Sequence, residues 1–496
     1  MKSNIQYRIH TGKQHGVIVD SVPEDVKLVI IPDAGSNQYE EHEVLFKRGV
    51  DVLVIDHHEA EQESQFACII NNQTCDYPTK SLSGVGMVYK FCCYLDSLLG
   101  IDQANEYLDL VALGLVADMM DMKDFETKHL VEKGLRELKN PYFKMMVEKN
   151  AYSIGSELTP FGVAFYVAPY VNATIRVGTQ DEKLILFESM LDHRGYELIP
   201  STKRGCKGQT ETRVEQACRN CTNIKNRQTK ARDASLEIIE RIIEEKNLLE
   251  NKILAIKLDA DYAVDKNLTG LVANQIMSKY QRPVLILNER VIEEIDPSTG
   301  EKTEIKTWEG SGRGYDKSSF DDLRRFLLES ELIRYAEGHA NALGVGINDT
   351  SFNEFINYSN KVLKDFDFSP SYRVDFIFSG DEVKPDDILG LANFKHLWGQ
   401  GVEEPMIVIE NVKVTKDNIT LMARDRNPTL KITLPNGMSL IKFRSSDEEY
   451  NELYSELGCV TLNIVGRCER NEWNGNITPQ ILCETYEIVG KTDYYF

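Results

Sequence analysis

No apolar run in this sequence approaches the roughly 20 consecutive residues that span a bilayer. Its first ten residues, Met-Lys-Ser-Asn-Ile-Gln-Tyr-Arg-Ile-His, lack the apolar core of a secretory signal. These two absences argue against a membrane protein or an ordinary secreted one, and the cytoplasm is the expected compartment. Cysteine is sparse: ten in 496 residues cannot build a disulfide scaffold, and a cytosolic chain keeps them reduced. Positive charge is short as well, with 57 Lys and Arg against 78 Asp and Glu and a net charge of −21. Such a chain repels nucleic acid on average, so any contact with a polyanion needs a local basic surface. There are no internal repeats and no low-complexity tracts.

What is present reads as a soluble multidomain chain. At roughly 150 residues per domain the length predicts about three domains. Val26 to Pro32 and Val50 to Asp56 are short β-branched runs, the pattern of buried strands. Val85, Val88, Tyr89, Cys92, Leu95 and Leu99 follow at helical spacing behind Gly84 and Gly86, and Leu108 to Val116 repeats that pattern up to Asp118. Strands alternating with helices predict a parallel sheet. From Lys203 to Arg232 the composition turns basic, with Lys203, Arg204, Lys207, Arg213, Arg219, Lys225, Arg227, Lys230 and Arg232 facing only Glu211 and Glu215. A solvated face or a strand contact would each account for it. Cys206, Cys218 and Cys221 fall nearby and are read as ordinary thiols rather than zinc ligands. Ala234 to Lys252 predicts a long connecting helix.

A second α/β unit follows, with strands at Ile253–Leu258 and Pro283–Leu287 around a helix at Leu268–Tyr280. Two glycine-containing segments, Gly310–Gly314 and Glu337–Gly344, read as turns flanking a helix near 319–335. From Tyr372 onward short alternating runs (Arg373–Phe378, Met406–Val412, Val460–Val465) are separated by Lys-Asp-Asn, Pro-Asn-Gly and Asn-Gly-Asn, which predicts a small β-barrel.

The sharpest chemical signal is Val54-Ile55-Asp56-His57-His58-Glu59 at the end of a strand, since ligands of open parallel sheets bind at the strands' carboxyl ends. Asp33 ends the preceding strand in the same way, and Asp118 closes an apolar helix. Imidazole with several carboxylates and no thiolate favours Mn²⁺ or Mg²⁺ over structural zinc. A carboxylate between two such ions can bridge them, the common arrangement for in-line attack of water on phosphorus.

These residues resemble a known family. Asp56-His57-His58 resembles the signature of the DHH phosphoesterase superfamily, Asp33-Ala-Gly-Ser its second motif and Leu113-Gly-Leu-Val-Ala-Asp118 its fourth. Tyr77-Pro78 with Leu82-Ser-Gly-Val-Gly86, Asn172-Ala-Thr-Ile-Arg176 and Asn223-Ile-Lys-Asn-Arg227 resemble the RecJ branch. Gly310-Ser-Gly-Arg313 and Gly338-His339-Ala-Asn-Ala-Leu-Gly344 resemble the two motifs of the DHH-associated domain. Trp398-Gly399 with Glu404-Pro405, and Asn471-Glu-Trp473-Asn-Gly475, resemble the RecJ OB-fold, where the tryptophans would stack bases or fill the barrel core.

The resemblance implies an α/β fold class in four segments. These are a parallel-sheet DHH domain over 1–200, a basic segment and connecting helix over 201–252, an α/β DHH-associated domain over 253–368, and an all-β OB-fold nucleic-acid-binding barrel over 369–496. It implies Asp33 as the carboxylate bridging two Mn²⁺ or Mg²⁺ ions, with His57 and Asp118 completing one ion's shell. Asp56 would support them by hydrogen bonding or ligation, and His58 would face the substrate phosphate. Arg313 and His339, with Ser311, Gly312 and Gly338, would hold a nucleotide phosphate across a cleft, with Asn172 and Arg176 as further substrate contacts. The implied activity is 5′-to-3′ hydrolysis of single-stranded DNA to mononucleotides.

The family's first motif, D-x-D-A-D-G, is absent, and Tyr7–Gly16 resembles the stretch that normally follows it. The two-metal site is therefore expected to be incomplete in this chain. A separate polypeptide supplying the missing strand, a start further upstream, or retained strand binding without hydrolysis would each explain this. The rival readings are thus a non-catalytic or split-subunit single-strand-binding protein and, against the weight of the OB segment, a DHH phosphodiesterase for short or cyclic nucleotides.

Overall fold

The computed structural model describes residues 5–11, 16–60, 62–295, 302–424, 427–473 and 475–493. Residues 12–15 of the Tyr7–Gly16 stretch and Asn474 lie outside them. The chain divides into two compact units, Met1–Thr222 with Arg373–Phe496, and Asn223–Tyr372.

The first unit opens on a three-stranded parallel sheet in the order β1 (Leu28–Pro32), β2 (Asp51–Asp56), β3 (Cys68–Asn71). Both strands expected from the apolar runs are present. β3, only four residues long, is an addition. β2 is buried on both faces because its side chains alternate between two cores. Val52 and Val54 join Ile31 and Leu45 on one side, while Ile55 joins Leu82 and Leu115 on the other. Helix α1 (Tyr39–Lys47) links β1 to β2, and α2 (Gly84–Leu99) and α3 (Leu108–Ala117) take the two predicted helical stretches.

Helices α4 (Phe125–Arg136), α5 (Pro141–Lys149), α6 (Ala151–Ile154), α7 (Pro160–Tyr166), α8 (Ala168–Val177) and α9 (Gln180–Ser189) follow, and a hairpin of β4 (Leu198–Pro200) and β5 (Thr210–Thr212) leads into α10 (Arg213–Glu245). Asp124, Asn140 and Thr179 cap α4, α5 and α9 by accepting hydrogen bonds from the orphan amides of the first turns.

The connecting helix differs from expectation. It starts at Arg213 rather than Ala234, because the apolar stripe already begins at Val214, Ala217, Cys218 and Cys221, all buried. It stops at Glu245 rather than Lys252, where Asn247 takes a left-handed φ of 51°. Cys218 and Cys221 pack in the core against Tyr142, and burial pushes the Cys218 thiol up to about 12. The basic segment is also less free than its composition suggests. Arg213 pairs with Glu188 and Glu197 at 2.6 and 2.7 Å, Arg219 and Lys203 pair with Glu211, and Arg232 pairs with Asp233. Acids brought in from α9 and the β4–β5 hairpin therefore neutralise part of the patch.

The remainder of the first unit is one seven-stranded sheet in the order β11-β12-β16-β17-β15-β14-β13, numbered after the strands of the second unit. Its members are β11 (Phe376–Ser379), β12 (Ile407–Val414), β13 (Ile419–Met422), β14 (Thr429–Thr433), β15 (Ser439–Phe443), β16 (Gly458–Trp473) and β17 (Asn476–Asp493). Side chains from β12 through β17 share one buried cluster, with two helices, α14 (Pro385–Ala392) and α15 (Asp447–Leu453), packed on it. The Lys-Asp-Asn and Pro-Asn-Gly signals fall between strands as expected, with Gly437 at φ of 84°; of Asn-Gly-Asn, Asn474 lies outside the described residues, Gly475 takes φ of 79° and Asn476 opens β17.

The second unit carries a five-stranded sheet, β6-β7-β8-β10-β9, formed by β6 (Leu254–Leu258), β7 (Val284–Ile295), β8 (Lys302–Arg313), β9 (Tyr335–His339) and β10 (Ala342–Asn348). Helix α11 (Thr269–Tyr280) covers one face together with the end of α10, while α12 (Leu323–Glu329) and α13 (Asp349–Val362) cover the other. The two glycine segments are not turns flanking a long helix. Gly310–Arg313 ends strand β8, Glu337–His339 ends β9 and Ala342–Gly344 opens β10, with only the short α12 between β8 and β9. Glycine is needed inside β8 because a Cβ at Gly310 would lie 1.9 Å from the Ile286 carbonyl oxygen.

Glu211 is a firmly held ion of the first unit. Its buried carboxylate accepts from Arg219 at 2.8 Å, Gln216 at 3.0 Å and the Thr202 amide at 3.2 Å. Burial works to raise its pKa, but these partners hold the carboxyl well below the usual range. The stabilisation is fully present above the unfolded pKa of about 4.3 and is lost as pH falls toward the depressed folded value. Glu211→Gln is expected to destabilise the unit by about 3 kcal/mol at pH 7 and to flatten the fall in stability below pH 4, read by urea denaturation across pH.

Candidate metal centre

The site is built at the carboxyl ends of β1 and β2. Parallel pairing of Pro32 with Ile55 sets Asp33, just past β1, opposite Asp56, the last residue of β2. Asp33 keeps the ladder register, its amide donating to the Ile55 carbonyl at 2.9 Å, but adopts a left-handed φ of 62°. Aspartate tolerates that conformation at some strain, and strain of this kind persists where the surroundings impose it.

Asp56 is fully buried and saturated. Its Oδ1 accepts from the His57 amide at 2.8 Å, the His58 amide at 3.3 Å and the His58 Nδ1 at 2.7 Å, and its Oδ2 accepts from the Ser36 amide at 3.1 Å. Burial alone would raise its pKa, but these bonds pull it down to about 2. Asp56 is therefore a brace. It fixes the His58 proton on Nδ1 and leaves Nε2 on an exposed ring facing outward. Asn71, at the end of β3, completes the brace by donating to Ser36 Oγ at 2.9 Å and to the His58 carbonyl at 2.8 Å.

His57 is the centre. Its Nε2 lies 3.2 Å from Asp33 Oδ1 and 3.4 Å from Asp118 Oδ2. Burial disfavours the imidazolium, yet the hydrogen bond to Asp33 and the charges of Asp118, Asp33 and Asp56 prevail and raise its pKa. Asp118 follows the last residue of α3, where the helix dipole disfavours a carboxylate, and burial raises its pKa despite His57. The His57 shift, driven by the neighbouring carboxylates, describes a point that attracts positive charge. One imidazole nitrogen and two carboxylate oxygens suit Mn²⁺ or Mg²⁺.

Asp33, Asp56, His57 and His58 also offer atoms within 4.8 Å of one another. Because Asp56 is consumed by hydrogen bonds, the residues here that could hold an ion are Asp33, His57 and Asp118. The room for that set is made by Gly84, the first residue of α2, where a Cβ would lie 2.2 Å from Asp33 Oδ1. Beside it the Ser83 hydroxyl is buried with no hydrogen-bond partner among the described residues.

Two family descriptions match this chain: the DHH family, N-terminal domain, over residues 2–115, and the RecJ OB domain over residues 374–485. The SPbeta prophage-derived protein of Bacillus subtilis named as a single-strand DNA-specific exonuclease, YorK, is 37% identical across 98% of this chain and 82% of its own length. The chain belongs to the RecJ family. Bacillus subtilis RecJ, named a single-stranded-DNA-specific exonuclease, is 26% identical over 92% of this chain, which spans 53% of that relative. The structure of RecJ in complex with Mn²⁺ from Thermus thermophilus superposes with a TM-score of 0.66 at 18% identity, covering 93% of this chain and 62% of that one. The same protein with Mg²⁺ gives a TM-score of 0.61. The α/β fold with DHH and OB domains is thus that of RecJ.

The other expected residues of this RecJ-family chain fall in separate places. Asn172 and Arg176 lie one turn apart on α8. Arg313 and His339 both pair with Ala342 of β10, so they stand on one face of the second unit's sheet, two strands apart. Ser311 shares that face and meets Thr269 at 2.8 Å, at the start of α11. Gly312 and Gly338 both pair with Leu343. Trp398 precedes the loop discussed below, and Trp473 ends β16.

Sequence reasoning missed Ser36, Asn71 and Gly84 as site residues. Gly84 was legible only as part of Ser83-Gly84-Val85-Gly86, and Asn71 depended on recognising β3. Asp56→Asn is expected to weaken Mn²⁺ binding about 10–100-fold with the circular dichroism unchanged, read by titration calorimetry. Gly84→Ala should weaken it comparably by displacing Asp33.

Proposed function

We propose that this chain is a metal-dependent exonuclease that hydrolyses single-stranded DNA from its 5′ end and releases 5′-mononucleotides. The observation that carries the reading is the convergence of Asp33 and Asp118 on His57 Nε2 at the carboxyl end of a parallel sheet. The names of the YorK and RecJ relatives support single-stranded DNA as substrate, and polarity and product follow the family resemblance. The reading is that of a cytoplasmic enzyme whose ten cysteines stay free thiols.

Mn²⁺ or Mg²⁺, when bound, lowers the pKa of an attacking water and neutralises charge on the phosphate. Asp33, His57 and Asp118 would hold the ion. His58, fixed through Nδ1 by Asp56, presents Nε2 to the substrate phosphate. On the second unit Arg313, Ser311 and His339, with Gly312 and Gly338 letting the chain approach, would receive a nucleotide phosphate beside the amino end of α11, a position favourable to anions. Asn172 and Arg176 of α8 would contact the strand.

A face for unpaired bases is available in the first unit. Helix α7 packs against the Lys395–Leu397 turn of the OB domain, and Phe161 and Phe165 on α7 stack at 4.2 Å while remaining 46% and 60% exposed. Bases stacked on such rings gain about 1–3 kcal/mol each.

The reading also leaves the open edge of β1 for a further strand, from a separate polypeptide or from a start further upstream. Among the described residues β1 pairs on one side only, and Leu28 and Ile30 are about half exposed. A strand added there would end beside Asp33, where a second ion needs ligands.

Cleavage of end-labelled single-stranded DNA by the purified chain in Mn²⁺ tests the activity. Mononucleotides are expected from the 5′ end, with rates reduced about 100-fold or more in His57→Ala and Asp118→Ala. Unchanged cleavage in both variants would overturn the reading. Strand bound but uncut, with cleavage restored by a polypeptide carrying the added strand, would identify a split enzyme; no restoration would leave a binding module. Phe165→Ala is expected to weaken strand binding about tenfold, measured by fluorescence anisotropy, without changing Mn²⁺ affinity.

A further inference from the structure

The segment that follows Asp118 is gripped by the OB domain. After Met119, at a left-handed φ of 56°, the Met120 amide returns to the Leu115 carbonyl at 3.0 Å, and the Asp121 amide donates to Ser81 Oγ at 2.6 Å. The next amide, that of Met122, donates at 2.8 Å to the carbonyl of Gln400, far away in sequence. The Met122 side chain is buried in the cluster that holds Ile55, Leu82 and Leu115, and Val402 of the OB domain packs against the same cluster.

The gripping loop is itself closed. Gly399 and Val402 exchange hydrogen bonds of 2.9 and 3.0 Å, forming an isolated bridge around Gln400 and Gly401. Both glycines lie close against this segment. A Cβ at Gly399 would lie 2.3 Å from Met122 Sδ, and one at Gly401, where φ is 78°, would lie 1.9 Å from Asp121 Oδ1. That same oxygen accepts the Lys123 amide at 2.8 Å, so it cannot swing away without loosening the loop.

We propose that the Gly399–Val402 loop of the OB domain is a positioning element of the metal centre: by clasping residues 121 and 122 it holds Asp118 against His57. The OB domain then serves the hydrolytic site directly, in addition to any contact it makes with the strand. This rests on the assignment of Asp33, His57 and Asp118 as metal ligands. A loop that merely joined two domains would leave metal affinity unaltered when loosened, whereas a clasp acting through Asp118 would not.

The test is Mn²⁺ binding by the full chain, followed by titration calorimetry and by the electron paramagnetic resonance spectrum of the bound ion. Gly401→Ala is expected to weaken Mn²⁺ binding about tenfold or more and to broaden the spectrum, with single-strand binding in EDTA unchanged. In an Asp118→Ala background the same substitution is expected to add nothing further, because the two act through one side chain. Gly399→Ala, whose Cβ meets only the flexible end of Met122, serves in its place if Gly401→Ala does not fold. Native Mn²⁺ affinity in a folded glycine variant, or full additivity with Asp118→Ala, overturns the clasp. If His57→Ala also binds Mn²⁺ normally, the metal assignment fails instead.

Discussion

Two carboxylates are held against one imidazole at the end of a parallel sheet, and much of the first unit exists to keep them there. Asp33 and Asp118 would separate in water; Asp33 stands in a strained backbone conformation, and Asp118 lies at the carboxyl end of a helix, where a negative charge is disfavoured. The sheet supplies the counterforce. Its register sets Asp33 beside Asp56, and Asp56, immobilised by its hydrogen bonds, fixes the direction of the histidine pair. A cation would offset the excess of negative charge around His57, the same carboxylates whose charges raise the His57 pKa.

The supports are layered outward from that point. Gly84 gives Asp33 its space, Ser36 and Asn71 restrain Asp56 and His58, and the OB domain reaches the loop behind Asp118 through Met122 and Gln400. Ligands held this way depend on residues that never touch the ion, as is general for metal sites. The acidic balance of the chain fits the same logic. Several basic side chains of the segment around Arg213 are engaged with Glu188, Glu197 and Glu211, so much of the positive charge apparent in the sequence serves the packing of α10.

The family and the grouping of Asp33, His57 and Asp118 were legible in the sequence because they rest on local order. A strand that ends in Asp-His-His must display those side chains at the sheet's carboxyl edge, and an apolar helix that ends in Asp118 must present that carboxylate at its last turn. β1, β2, α2 and α3 were readable for the same reason: each carries an uninterrupted apolar period. The glycine segments of the second unit were misread as turns because glycine has two uses. Only the neighbouring strand, with the Ile286 carbonyl pressed against Gly310, shows that close packing rather than chain reversal required it.

By itself, then, the sequence determined the α/β class, a DHH segment ahead of an OB segment, and that Asp33, Asp56, His57, His58 and Asp118 would gather at one sheet edge, since strand and helix periods act over a few residues. Tertiary structure alone decided that Asp56 is taken up by hydrogen bonds while Asp33 and Asp118 meet at His57, where the basic residues find partners, and that the loop around Gln400 meets the loop behind Asp118. Those outcomes depend on contacts between residues far apart in the chain, and such contacts leave no period in the sequence to read.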